Sequence, residues 1–115
     1  MDVVDIVLSP VRIGSSGEVF DLRGEIDIDG GATLTLAGTP TYRLLQPDLT
    51  TEQDSGDVDV SEGDGTDAVI SAKSIDVSTL DGITGNWIGE IYQEAEGSDG
   101  RTRKRLTRNI IPVRT

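Results

Sequence analysis

Residues 18–29 read "EVFDLRGEIDID", and their alternation limits what this chain can become. Phe20, Leu22, Ile26 and Ile28 fall in one phase, with Gly24 among them. Arg23, Glu25, Asp27 and Asp29 fall in the other. Period two over this length describes a β-strand with one face on a core and the other in water. No stretch keeps apolar residues at i, i+3, i+4 and i+7 for three turns, so a helical bundle is excluded.

Further strand signals follow along the chain. "DVVDIVLSPVRI" at 2–13 is an opening β-segment interrupted by Pro10, since proline has no amide hydrogen for a ladder. "ATLTLAG" alternates weakly, and "TPTYRLLQPD" carries Tyr42 and Leu44 in phase between Pro40 and Pro47. An acidic loop is expected at about 48–67, with "DVDV" inside it able to form a short edge strand. "DAVISAKSIDV" and "NWIGEIYQE" follow, and "EAEGSDG" has the Gly and Asp chemistry of a hairpin turn. In the closing "RTRKRLTRNIIPV", Leu106 and Ile110 share one phase while Ile111 and Val113 share the other. A bulge near Arg108–Ile110 would reconcile them, because one extra residue switches the face. Seven strand candidates separated by turns, with essentially no helix, predict an all-β, antiparallel two-sheet sandwich of Ig-like type. At 115 residues the chain is expected to be a single domain, residues 1–115.

Two of the four aromatics fall within six consecutive positions, at Trp87 and Tyr92. The corner "LDGITGNW" brings the chain into its penultimate strand, so Trp87 is expected to cap the core with its N–H on loop backbone. Tyr92, five residues on, must face the other way. The expected core is Phe20, Leu22, Ile26, Tyr42 and Trp87. Tyr92 is a candidate partner contact, as an amphipathic ring exposed on a sheet.

Charge is divided unevenly. The net charge is −11, yet all the acids lie before residue 101 and six basic residues follow. That basic segment, with Arg101, Arg103, Lys104 and Arg105, either docks on an acidic partner or pairs with Glu90, Glu94, Glu96 and Asp99 across strands. The negative total and the lack of interleaved aromatics argue against nucleic acid as partner.

With neither histidine nor cysteine, nucleophilic triads, disulfides and thiolate metal sites are excluded. An enzyme would have to use carboxylates or lysine, and Glu90 and Glu94 lack an opposing carboxylate of glycosidase type. "DVDVSEGDGTD" at 57–67 offers alternate oxygen donors, but Glu62 stands where an EF-hand needs glycine and Ala68 where it needs glutamate. "GSSGE" and "GDGTD" lack the lysine of a phosphate loop. "RTRKR" matches a localisation signal only weakly. Neither a leader nor a membrane span is expected, and neither are catalytic residues, a cofactor or a metal.

The order "EVFDLRGEIDIDGGATLTLAGTPTYRLLQPD", acidic insert, "DVSTLDGITGNWIGEIYQE", then "SDGRTRKRLTRNIIPV" resembles the small Ig-like β-sandwich domains of tailed-bacteriophage structural proteins. The N-terminal domain of upper baseplate proteins and head, neck or capsid-decoration proteins are of this kind. The likeness spans about residues 17–113. It implies a non-catalytic virion component assembled in the host cytoplasm. Its partners would be capsid, neck or tail proteins, as a homo-oligomer or bound to a lattice, without nucleic acid or membrane. A carbohydrate- or surface-binding sandwich module is the alternative.

Overall fold

The computed structural model describes residues 1–14, 17–27, 31–63 and 65–115, and in these the chain is almost entirely β. Ten strands appear in the order β1 (Asp2–Val7), β2 (Val11–Arg12), β3 (Val19–Asp27), β4 (Leu34–Leu36), β5 (Thr41–Leu45), β6 (Glu52–Asp57), β7 (Val60–Glu62), β8 (Ala68–Asp76), β9 (Gly85–Gly97) and β10 (Thr102–Arg114). A single 3-10 turn, Val77–Leu80, is the only helical element among the described residues. No helix there is long and apolar enough to cross a membrane.

The strands form two sheets. The larger runs β1-β10-β9-β5-β6, with β2 extending the β10 edge and β4 extending β5 along β9. The smaller runs β3-β8-β7. All pairings are antiparallel except those of β1 and β2, which lie parallel to β10. The acidic segment is therefore not one loop, because β6 and β7 take up much of it. "TEQDSGD" carries no apolar residue, so alternation is silent on β6, which hydrogen bonds into the sheet edge through its backbone. Ile28 and Asp29 of the opening pattern, Ser15 and Ser16 of "GSSG", Gly30 and Asp64 lie outside the described residues.

Between the sheets the core has two parts. Leu22, Tyr42, Leu44, Leu80, Trp87, Ile91 and Ile111 anchor the larger cluster, with Phe20 packed against it at its margin. Ile26, Leu34, Val69 and Ala95 form the smaller one. A polar seam separates them, where buried Gln93 donates from Nε2 to Ser71 Oγ at 2.8 Å. Trp87 is wholly buried and its indole N–H donates to the Ile83 carbonyl at 2.9 Å, tying the strand to the corner before it. Close approach of the sheets requires two glycines. Leu22 sits directly over Gly89, and a Cβ on Gly24 would come within 2.8 Å of both Gln93 Oε1 and Ile91 Cγ2.

The β9–β10 ladder corrects one expectation. Its register runs unbroken from Thr102↔Glu96 to Val113↔Gly85, so there is no bulge near Arg108–Ile110. Thr107, Asn109, Ile111 and Val113 face inward and are buried, while Leu106, Arg108 and Ile110 face outward. Asn109 occupies a core position because the smaller sheet offers it polar partners. Its Oδ1 accepts from the Arg23 N–H at 2.9 Å, and its Nδ2 donates to the carbonyls of Arg23 (3.1 Å) and Gly89 (2.9 Å).

Tight turns are set by aspartates. Asp48 accepts from the backbone of Thr50 and Thr51 and from the Thr51 hydroxyl, and the next residue, Leu49, takes a left-handed φ of 64°. Asp99 accepts from the Arg101 N–H and from the Arg103 guanidinium in the β9–β10 hairpin. The Thr51 hydroxyl holds Asp48, and the Arg103 guanidinium holds Asp99, each at about 2. Hydrogen bonds of this kind favour the ionised form. With folded values below the ordinary one, the stabilisation is complete above about pH 4 and is lost as pH falls through about 2. A carboxyl-detected NMR titration is expected to give both residues midpoints near 2. Midpoints at the ordinary aspartate value would refute these turn geometries.

Candidate functional site

The outward face of the larger sheet gathers two of the side chains singled out by sequence as partner contacts, Tyr92 and Lys104, and several that were not. It is built in rows, because residues paired across a ladder point the same way. One row crosses four strands as Asp5, Arg108, Glu90 and Arg43. Its charges alternate in sign. Asp5 lies 3.7 Å from Arg108, and Arg43 lies 2.7 Å from Glu90.

Apolar rows flank this one. On one side stand Val7, Ile110, Ile88 and Leu45, and on the other Val3, Leu106, Tyr92 and Thr41. Beyond the second lies Lys104 beside Glu94, paired at 3.3 Å. Val7 is 71 % exposed and Val3 and Leu49 54 % each, so apolar surface is open to solvent along both margins. Two shallow hollows, of ≈ 310 and ≈ 340 Å³, dimple the face around Glu90 and Arg43. Neither is a cleft that would enclose a small substrate.

Tyr92 lies on this outer face, half-buried, opposite in direction to Trp87. Its hydroxyl donates to Glu94 Oε1 at 3.0 Å, and burial with that carboxylate beside it raises the phenol above its ordinary value. The basic residues divide between roles. Arg101 is exposed at the turn, and Lys104 is on the outer face with Glu94. Arg103 is bound to Asp99 at 2.7 Å. Arg105 points to the rim of the sheet interface, where it donates to the Glu25 carbonyl and lies 3.5 Å from Asp27 and 3.8 Å from Asp2. Arg103 thus pairs with Asp99, one of the acidic neighbours expected, whereas Arg105 joins β10 to Asp2 and Asp27, which were not among them.

Among the described residues no group of three acids is placed to hold a metal ion. Asp64, within the 57–67 segment weighed for calcium, lies outside them. On the outer face every titratable side chain in the central row is engaged with a neighbour of opposite sign.

Asp5, Arg43, Arg108, Val7, Ile88 and Ile110 were missed by sequence reasoning. One signal for them was present: β10 carries apolar residues in both phases, the mark of a strand covered, or ready to be covered, on both faces. No protein-family model matches the chain, and no curated protein matches it either.

Proposed function

We propose that this chain is a non-catalytic structural component of a bacteriophage particle, an Ig-like sandwich that works through protein–protein contacts. The observation that carries the reading is the outer face of the larger sheet. It mixes apolar rows with a row of alternating charge, the composition of a surface that meets another protein. Strand order supports the Ig-like assignment. With β3, β8 and β7 taken as B, E and D, the opposing β10-β9-β5-β6 reads G-F-C-C′, and β9 and β10 form the F–G hairpin. The likeness to virion domains across residues 17–113 supplies the biological setting, and a fold by itself does not.

The test is mass spectrometry of tailed particles banded from the organism that encodes the chain. Peptides of this protein should co-purify with capsid and tail proteins at fixed stoichiometry. Their absence from intact particles would overturn the assignment.

The hollow lined by Tyr92, Arg43 and Glu90 favours a second reading, a carbohydrate- or surface-binding module. Binding on a glycan array that Tyr92→Ala abolishes would support it.

A further inference from the structure

The rows of the outer face share a symmetry that their individual contacts do not require. On a line drawn along the strands between β10 and β9, Arg108 lies opposite Glu90, Lys104 opposite Glu94, and Ile110 opposite Ile88. One strand further out, Asp5 on β1 balances Arg43 on β5, and Val7 balances Leu45. In these rows each charge therefore has its opposite at the mirrored position, and each apolar residue in the Val7 row has an apolar one.

We propose that this face binds a second copy of the same chain, across a two-fold axis running parallel to the strands between β9 and β10. Such an axis turns the sheet over and exchanges left with right. Arg108 then meets Glu90 of the partner subunit, Asp5 meets the partner's Arg43, and Ile110 meets the partner's Ile88. The other in-plane axis, across the strands, would set Arg108 on the partner's Arg108 and Glu90 on the partner's Glu90. Like charges in contact oppose that arrangement, so the charge row selects one orientation. Isologous pairing of this kind closes on itself and yields a dimer, not a fibre.

Area sets the strength. Four strands about 4.8 Å apart, over the five outward positions from Lys104 to Pro112, span about 500 Å² of plane. Two copies bury about 1,000 Å², at the low end of specific interfaces, where weak and transient association is the rule. The proposal rests on the reading of this domain as one that acts through protein contacts.

Sedimentation equilibrium of the full chain, from about 1 to 500 µM, tests it. A monomer–dimer equilibrium is expected, with no larger species. Val7→Asp replaces a side chain that is mostly in solvent within one subunit, so it should weaken dimerisation at least about tenfold and leave the melting temperature unchanged. Arg108→Glu and Glu90→Lys should each weaken self-association about tenfold or more, because each creates like charges across the axis. Mixed in equal amounts, the two variants should associate within about threefold of the native affinity, since every facing pair is again opposite in sign. A native chain that stays monomeric throughout, a trimer or larger assembly, a dimer indifferent to Val7→Asp, or a mixture no tighter than its components would each overturn the proposal. A monomer that is nonetheless present in particles would remove the pairing and leave the virion role standing. A dimer absent from particles would do the reverse.

Discussion

Trp87→Ala is expected to lower stability by about 3–5 kcal/mol, enough to unfold a large share of the molecules of a domain of ordinary stability. Trp87 is wholly buried in the larger cluster, among Leu44, Leu80, Ile91 and Ile111. Alanine removes most of that contact and leaves a cavity that two rigid sheets close only in part. It also leaves the Ile83 carbonyl without its indole donor. Trp87→Phe separates the terms: the ring is mostly retained, the hydrogen bond is lost, and the cost should fall to about 1–2 kcal/mol. Urea unfolding followed by circular dichroism measures all three proteins, and in the native chain the fluorescence of this single tryptophan reports the same transition. A loss under about 1 kcal/mol for Trp87→Ala would contradict the packing described here.

Asn109→Ala should cost about as much, although far less apolar contact is removed. The amide, itself wholly buried, joins β10 to β3 of the opposite sheet and to β9 beside it through three hydrogen bonds. Alanine leaves one N–H and two carbonyls to find new partners at a largely buried position, and each such loss costs about 1–3 kcal/mol when uncompensated. We expect a total of about 3–4 kcal/mol, moderated by water entering the space. Asn109→Asp is the sharper variant. A carboxylate can still accept from Arg23, but it faces two carbonyls that also only accept. The aspartate should therefore be as damaging as alanine at neutral pH and less so in acid, where the protonated form donates again. Protonation of a buried acid raised above its ordinary value stabilises the fold as pH falls toward that value and below. Melting temperatures of the two variants compared at pH 4 and pH 7 check this, and a constant difference between them would defeat the account.

How far the fold could be read from sequence depended on how each strand is buried. β3 is half-covered, and its alternation was plain. The corner before Trp87 was readable because glycine turns and a large ring leave few alternatives. β6 was silent, since an edge strand made of Glu, Gln, Asp, Ser and Gly is held by its backbone and leaves no apolar trace. β10 misled for the opposite reason. Its outward Leu106 and Ile110 and its inward Ile111 and Val113 looked like a slipped register, with Arg108 out of place among them. In the structure Arg108 belongs to an outer charge row, and the polar residue on the core side is Asn109. A single sequence does not announce that Arg23, across the core, presents its backbone to an amide. The outer face was hidden similarly: its rows are joined by register between strands far apart in the chain, and register is a property of the folded sheet.

The parallel pairing of β1 with β10 has a consequence for how the chain reaches this structure. Asp2 lies beside Arg105 and Val7 beside Ile110, so the edge of the larger sheet closes only when segments about a hundred residues apart have met. Loop closure over such a distance is slow compared with the β9–β10 hairpin, which forms from neighbouring sequence. The hairpin should therefore be an early element of folding and β1 a late one. During synthesis β1 emerges well before β10 and must remain unpaired until β10 has left the ribosome. Two aspartates among its six residues keep that waiting strand in solution, and the same Asp5 later takes its place beside Arg108.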